Sequence, residues 1–293
     1  MTRIAITGYA SLDHVAVLNG TPRAGRTTTI LRRPDDAWPR LGGSPAYVAA
    51  ALVASGVPDA FPICWVGEDA EGADYRMRLA GEKIPEAGVV ASSRLRTPVA
   101  ILAYEPDGGC ICLYDPGSIE DLNFSERQHD LLSTSDWTCI TIGPRLATET
   151  ALMTVGHKAR LAWVVKHDPR SMPISLAARI AERSDLIITS KAERAFLDEA
   201  MAKASTSRPG LIVIETQGGS GALLKRDGKE TFVETSIIDV SDPTGAGDTF
   251  AGGVLAALVK GESDPAEILT AGHRAAAVLL STRLDAEKEN TAQ

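Results

Sequence analysis

The sequence predicts an α/β protein with a mostly parallel central sheet flanked by helices and a small β-sheet lid. Short apolar runs alternate with helix-like stretches over most of the chain. Two segments, 13–38 and 97–115, break that rhythm with β-like patterning and no helix. The length of 293 residues suits one large α/β unit, so 1–293 reads as a single domain without repeat or linker.

Strands are expected over 3–8, 61–66, 137–142, 162–166, 186–189 and 211–215, each a short apolar run. Helices are expected between them, over 44–54, 71–80, 148–159, 174–182 and 191–203. Repeated βα units of this kind give a parallel sheet, whose ligands sit beyond the carboxyl ends of the strands. The segment 13–38 is rich in Thr, Arg and Pro. In 97–115, two apolar-rich runs flank Pro106-Asp107-Gly108-Gly109, a hairpin turn sequence. These segments read either as a lid that excludes water from substrate or as ordinary surface insertions.

Composition narrows the function. With 38 acidic and 30 basic side chains the net charge is -8, which argues against nucleic acid or anionic lipid as partner. A small anion remains accessible to backbone N–H groups. No apolar run approaches the roughly 18 residues of a membrane span, and the amino terminus lacks a signal-peptide core. Cys64, Cys110, Cys112 and Cys139 form no CxxC pair and no zinc-ligand spacing, so buried, reduced thiols and a cytoplasmic location are expected.

The chemistry concentrates in Asp242-Pro243-Thr244-Gly245-Ala246-Gly247-Asp248 and the small-residue helix that follows to about Val259. Pro243 stops any preceding helix. The first turn is then built from residues too small to block a ligand, and its unpaired N–H groups favour anions. Asp248 in that turn reads either as a cap or as a base for an alcohol proton beside the anion hole, the pairing phosphoryl transfer to a hydroxyl requires. Neither GxxxxGK[ST] nor GxGxxG occurs.

At this point the chain resembles the ribokinase-like, or PfkB, family of carbohydrate and nucleoside kinases, from about residue 3 to 284. The 242–248 stretch is similar to its carboxy-terminal signature. Gly42-Gly43-Ser44-Pro45-Ala46 resembles its di-glycine motif, Gly8 through Asp13 its opening strand, and Thr216-Gln217-Gly218-Gly219-Ser220-Gly221-Ala222 its nucleotide-contacting turn. The resemblance implies a ribokinase-like fold and ATP-dependent transfer of a phosphoryl group to a hydroxymethyl group of a sugar or polyol. It implies Asp248 as general base and Gly245, Ala246 and Gly247 as anion hole. Asp13, Gly42, Gly43, Ser11 and Tyr47 fall at the substrate. Thr216, Gly218 and Gly221 fall at ATP, with Gly272, His273 and Ala276 along the adenine side. Glu193 would meet Mg²⁺ through water. Family members often bind a monovalent cation near the signature loop; Asp242 and Thr244 hold the matching positions, which makes potassium a candidate.

Departures bear on the acceptor. Tyr47 and Ser11 stand where the family usually places Asn. Gly143 or Pro144 stands where ribose enzymes carry Glu, which argues against ribose. Tyr47 reads as a substrate-stacking or hydrogen-bonding residue, or as a helix residue packed under the lid. Ser190 and Arg170 replace Asn in two further motifs. The alternatives are a nucleoside kinase, with Tyr47, Tyr104 or Tyr114 stacked on a base, and a catalytically idle ligand-binding homologue. A homodimer through the lid edges is the expected assembly.

Overall fold

The computed structural model describes residues 2–117 and 122–291. β1 (Ile4–Thr7) is buried from end to end, as a continuous apolar strand covered on both faces should be. The chain then leaves the core for β2 (Ser11–Leu18), β3 (Ile30–Arg32) and β4 (Arg40–Gly42). It returns through α1 (Ser44–Ala54), where Pro45 in the first turn suits a helix start. β5 (Ala60–Gly67), α2 (Ala70–Gly81) and β6 (Val89–Ser92) follow, with the Asp69 carboxylate accepting from the Gly72 N–H at 2.8 Å to cap α2.

β7 (Val99–Tyr104) and β8 (Cys110–Asp115) form the hairpin. Regular alternation resumes with α3 (Glu126–Thr134), β9 (Trp137–Ile140), α4 (Arg145–Thr154), β10 (Arg160–Val164) and α5 (Ile174–Arg183). It continues with β11 (Leu186–Ser190), α6 (Arg194–Lys203) and β12 (Ile212–Thr216). An antiparallel pair, β13 (Ala222–Arg226) and β14 (Lys229–Val233), precedes α7 (Ala246–Val259) and α8 (Pro265–Thr291).

Among the described residues, the main sheet has the order β14-β13-β12-β11-β10-β9-β1-β5-β6 and is parallel from β12 to β6. Strand order reverses at β1, which lies between β5 and β9, so the crevice for a ligand is at the carboxyl ends of these strands. The second sheet has the order β3-β2-β7-β8, with β4 added to β2. Both segments expected in the lid therefore share one sheet. That sheet begins at Ser11 and also takes in Arg40–Gly42, which brings the substrate-site candidates Ser11, Asp13 and Gly42 into paired strands. Asp13 pairs with Ala100 and Val17 with Tyr104, so Asp13 and Tyr104 share a face. His14, Ile101 and Leu113 share the opposite one.

Several sequence expectations are corrected. The helix expected over 148–159 lies at Arg145–Thr154, because Pro144 sets its start and Gly156 follows its end. The 191–203 helix opens as a 3-10 turn at Lys191–Glu193. Cys64 and Cys139 are buried, but Cys110 and Cys112 are exposed, since β8 is an edge strand. Among the described residues no helix is long and apolar enough to cross a membrane.

Candidate active site

Asp248 is the third residue of α7 and is 9% exposed. Its Oδ1 is buried and has no hydrogen-bond partner among the described residues. Burial pushes the carboxyl above its ordinary range; Lys166 and Ser44 oppose that push, and Glu193 adds to it. Lys166 stands just past β10 with Nζ 3.9 Å from Glu193 Oε1. Its ammonium is favoured first by Asp248, against burial, and then by Glu193. One ammonium thus serves two carboxylates. Lys166 was expected only as the last residue of the 162–166 strand, with no role; its one signal in the sequence was a lysine closing the apolar run Leu161–Val165.

The loop before α7 is shaped by Gly245, whose φ of 77° is left-handed. A Cβ there would lie 2.5 Å from the Tyr47 ring, so this position requires glycine twice over. Of the three expected donors, the Ala246 N–H is turned back onto Pro243 O at 3.1 Å. The N–H groups of Gly245 and Gly247 have no partner among the described residues.

Asp13 is 4% exposed and accepts from Ser11 Oγ at 2.6 Å and from Tyr47 Oη at 3.5 Å. Burial raises its carboxyl; Ser11 and Arg40 counter this, and Asp242 reinforces it. Gly42 lies against that carboxylate, where a Cβ would stand 2.2 Å from it. Tyr47 is buried, with its ring on Gly245 and its hydroxyl between Asp13 and Arg283 Nη2, which donates at 3.5 Å. The ring is packed, and the hydroxyl ties Asp13 to Arg283.

The second sheet meets the loop through several contacts. Tyr104 and Thr244 join their hydroxyls, and Arg32 donates to Ser241. Arg40 Nη1 donates to Asp242 Oδ2 at 2.5 Å.

At the nucleotide-side positions, Gly218 and Gly221 turn with φ of 59° and 131° after Thr216, whose hydroxyl donates to Thr189 O at 3.3 Å. The candidates on α8 are drawn into packing: Gly272 lies on the Phe250 ring and Ala276 against the core. His273 is set edge-on to Phe250, with Nε2 3.2 Å from Val233 O.

Glu193 has Oε2 on the Ser190 hydroxyl at 2.8 Å and Oε1 towards Lys166. A lone carboxylate beside Asp248 suits Mg²⁺ held through its own waters. Asp242 and Thr244, the candidates for a monovalent ion, instead present their oxygens to Arg283. They do not fit a second cation.

A cavity of about 580 Å³ opens beyond β1, β5 and β9, lined in part by Tyr9, Trp65, Tyr114, Pro144, Arg145 and Arg170. Tyr9 and Tyr114 meet edge to face with centroids 5.4 Å apart, and Tyr9 Oη is 3.2 Å from Ser171 Oγ. Asp13 and Asp248 are not in its lining. Of the aromatic residues expected to meet a base, Tyr114 alone lines it; Tyr47 and Tyr104 are held on the loop.

A buried carboxylate in the first turn of α7 thus follows a glycine-bare loop that the second sheet contacts. The family model described as pfkB family carbohydrate kinase matches residues 1–292, and the chain belongs to that family and is a kinase. It is 24% identical over 282 residues to a nucleoside kinase of Methanothermobacter thermautotrophicus, covering 92% of this chain and 86% of the relative. It is also 24% identical over 292 residues to a ribokinase of Haemophilus influenzae, covering 96% and 92%. The crystal structure of ribokinase from Cryptococcus neoformans in complex with ADP superposes with a TM-score of 0.78 at 20% identity, covering 94% and 93%.

Proposed function

We propose that this kinase uses ATP to phosphorylate a hydroxymethyl group of a small sugar or polyol. The observation that carries the reading is Asp248 Oδ1, a buried acceptor at the start of α7 that, like the nearby Gly245 and Gly247 N–H groups, has no partner among the described residues. An acceptor hydroxyl would give its proton to Asp248 while its oxygen attacks the γ-phosphorus, and ADP would leave. The N–H groups of Gly245 and Gly247 would face the transferring phosphoryl. Asp13 would take hydrogen bonds from substrate hydroxyls on its remaining lone pairs. Thr216, Gly218 and Gly221 would line the nucleotide, a reading supported by the ADP bound to the Cryptococcus relative. Mg²⁺, held through water by Glu193, would screen the phosphate charge when bound. The β2–β4 and β7–β8 strands would act as the lid.

A nucleoside acceptor is the second reading. The Tyr9 and Tyr114 walls of the 580 Å³ cavity favour it, as does the name of the Methanothermobacter relative. A panel of sugars, polyols and nucleosides read as ADP release decides: turnover of nucleosides with no sugar turned over would overturn the preferred reading. ATP binding without any turnover would favour an idle homologue.

Lys166 supplies a pH prediction. A base must be ionised, so kcat falls as pH drops through the folded-state pKa of Asp248. The positive charge of Lys166 holds that value down. Lys166→Met is therefore expected to move the acid limb of the kcat profile to higher pH. An unmoved limb would remove Asp248 as the titrating group or Lys166 as its neighbour.

A homodimer through the lid belongs to the same reading. Ile101 and Leu113 pair on the face away from Asp13 and are 41% and 59% exposed. Leu113→Asp is expected to shift a sedimenting dimer to monomer; a wild-type monomer at all concentrations would end this proposal.

A further inference from the structure

A charged side chain is packed against the signature loop. Arg283, on α8, is 6% exposed. Its Nη1 donates to Asp242 O at 2.9 Å and to Thr244 O at 2.5 Å, and lies 3.7 Å from Asp242 Oδ1. Two loop carbonyls and a carboxylate therefore converge on one nitrogen. An array of backbone and carboxylate oxygens like this is the donor set a hard monovalent cation would otherwise take.

The position such an ion would take is filled by the Arg283 guanidinium. The second oxygen of Asp242 holds Arg40 Nη1 at 2.5 Å. The Asp242 carboxylate thus lies between two guanidinium groups, of which Arg40 also meets Asp36 Oδ2 at 3.2 Å, and a cation on the two loop carbonyls would have to sit directly against the Arg283 guanidinium. The guanidinium is also anchored at its other nitrogen, where Nη2 donates to Tyr47 Oη at 3.5 Å. From there the contacts run to Asp13 in one direction and to Gly245 in the other.

We infer that Arg283 is a tethered cation that takes the place of a bound monovalent ion in setting the Asp242–Gly245 turn, so that the enzyme needs no potassium. The inference rests on the phosphoryl-transfer reading of that turn. Arg283 is a positioning residue: its contacts are with Asp242, Thr244 and Tyr47, and it acts through the loop whose N–H groups would face the phosphoryl group. A misplacement of that loop by about 1 Å is enough to lose about 10²-fold in rate.

The test compares KCl, NaCl and choline chloride at equal ionic strength, with Mg²⁺ fixed, by ADP release and by thermal unfolding. Wild-type turnover is expected to agree within about twofold across the salts, with an unchanged Tm. A bound ion well above its Kd would instead raise Tm by roughly 4 °C or more. Arg283→Ala is expected to lose about 10²-fold in kcat and to regain at least about tenfold of that with KCl or guanidinium chloride, but not with choline. Its Tm should rise in KCl over choline. Arg283→Lys, which keeps a tethered charge, should need no added ion.

Saturable activation of the wild type by potassium of about tenfold or more, or a potassium-dependent wild-type Tm, would overturn the inference. So would a folded Arg283→Ala that neither potassium nor guanidinium rescues. If Arg283→Ala does not fold, the wild-type salt comparison decides alone. If no acceptor is turned over, the proposed function fails while the Tm comparison still judges the role of Arg283.

Discussion

Asp248→Asn is expected to lower kcat by about 10²–10⁴-fold, the usual contribution of a positioned general base. Nucleotide affinity should stay unchanged or tighten, because the substitution removes a negative charge near the phosphates. The same variant should be more heat-stable at pH 7. The carboxyl of Asp248 is raised chiefly by burial, so the folded chain holds its proton more tightly than the unfolded chain. Stability from such a group is fully present below the ordinary Asp value of about 4 and is lost as pH rises through the folded value. Asparagine escapes that loss. The Tm advantage of Asp248→Asn should therefore shrink as pH falls towards 4, and calorimetry across pH reads it directly. Opposite changes in rate and stability mark a group kept buried for chemistry. A folded Asp248→Asn variant with kcat within tenfold of wild type would remove the base assignment.

Much of this arrangement was legible in the sequence, for identifiable reasons. Parallel strands covered on both faces must be continuously apolar, and β1, β9 and β11 announce themselves that way. The 44–54 helix emerged at its observed bounds because Pro45 marks its start and Ala dominates its body. The β13–β14 pair was missed. Its turn is flanked by the half-buried Lys225 and Arg226 and the exposed Lys229 and Glu230, and the resulting pattern resembles a solvated loop.

At the site, the loop residues were legible because glycine and proline constrain the backbone locally. Lys166 and Arg283 were not. A charged side chain reads as surface by default, and only the fold shows that Lys166 faces Asp248 and that Arg283 is buried against loop carbonyls. Tyr47 carried two readings for the same reason: a tyrosine on an Ala-rich helix is compatible with packing or with ligand contact. In the structure its hydroxyl meets Asp13 and its ring lies on Gly245.

That contact yields the second large effect. Gly245→Ala is expected to destabilise the protein by about 2–5 kcal/mol, combining left-handed strain with overpacking. The added Cβ would meet three Tyr47 ring atoms at 2.5–2.6 Å, and that ring is held by Asp13 and Arg283, so the loop must move instead. Displaced N–H groups should cost at least about 10²-fold in kcat. Gly247→Ala is the informative contrast. A Cβ there meets nothing within 4 Å, and alanine is the better helix former. Its Tm should hold or rise while ATP-dependent turnover falls, because on the proposed function the methyl group would enter the space of the phosphates. Adding Tyr47→Ala to Gly245→Ala should relieve the clash but not the backbone strain, giving a double variant more stable than the sum of the single losses. Additive losses in that cycle would show that Tyr47 does not press on the loop. Equal losses of Tm for Gly245→Ala and Gly247→Ala would show that the two glycines serve one purpose, although a Cβ at Gly245 meets Tyr47 and one at Gly247 meets nothing within 4 Å.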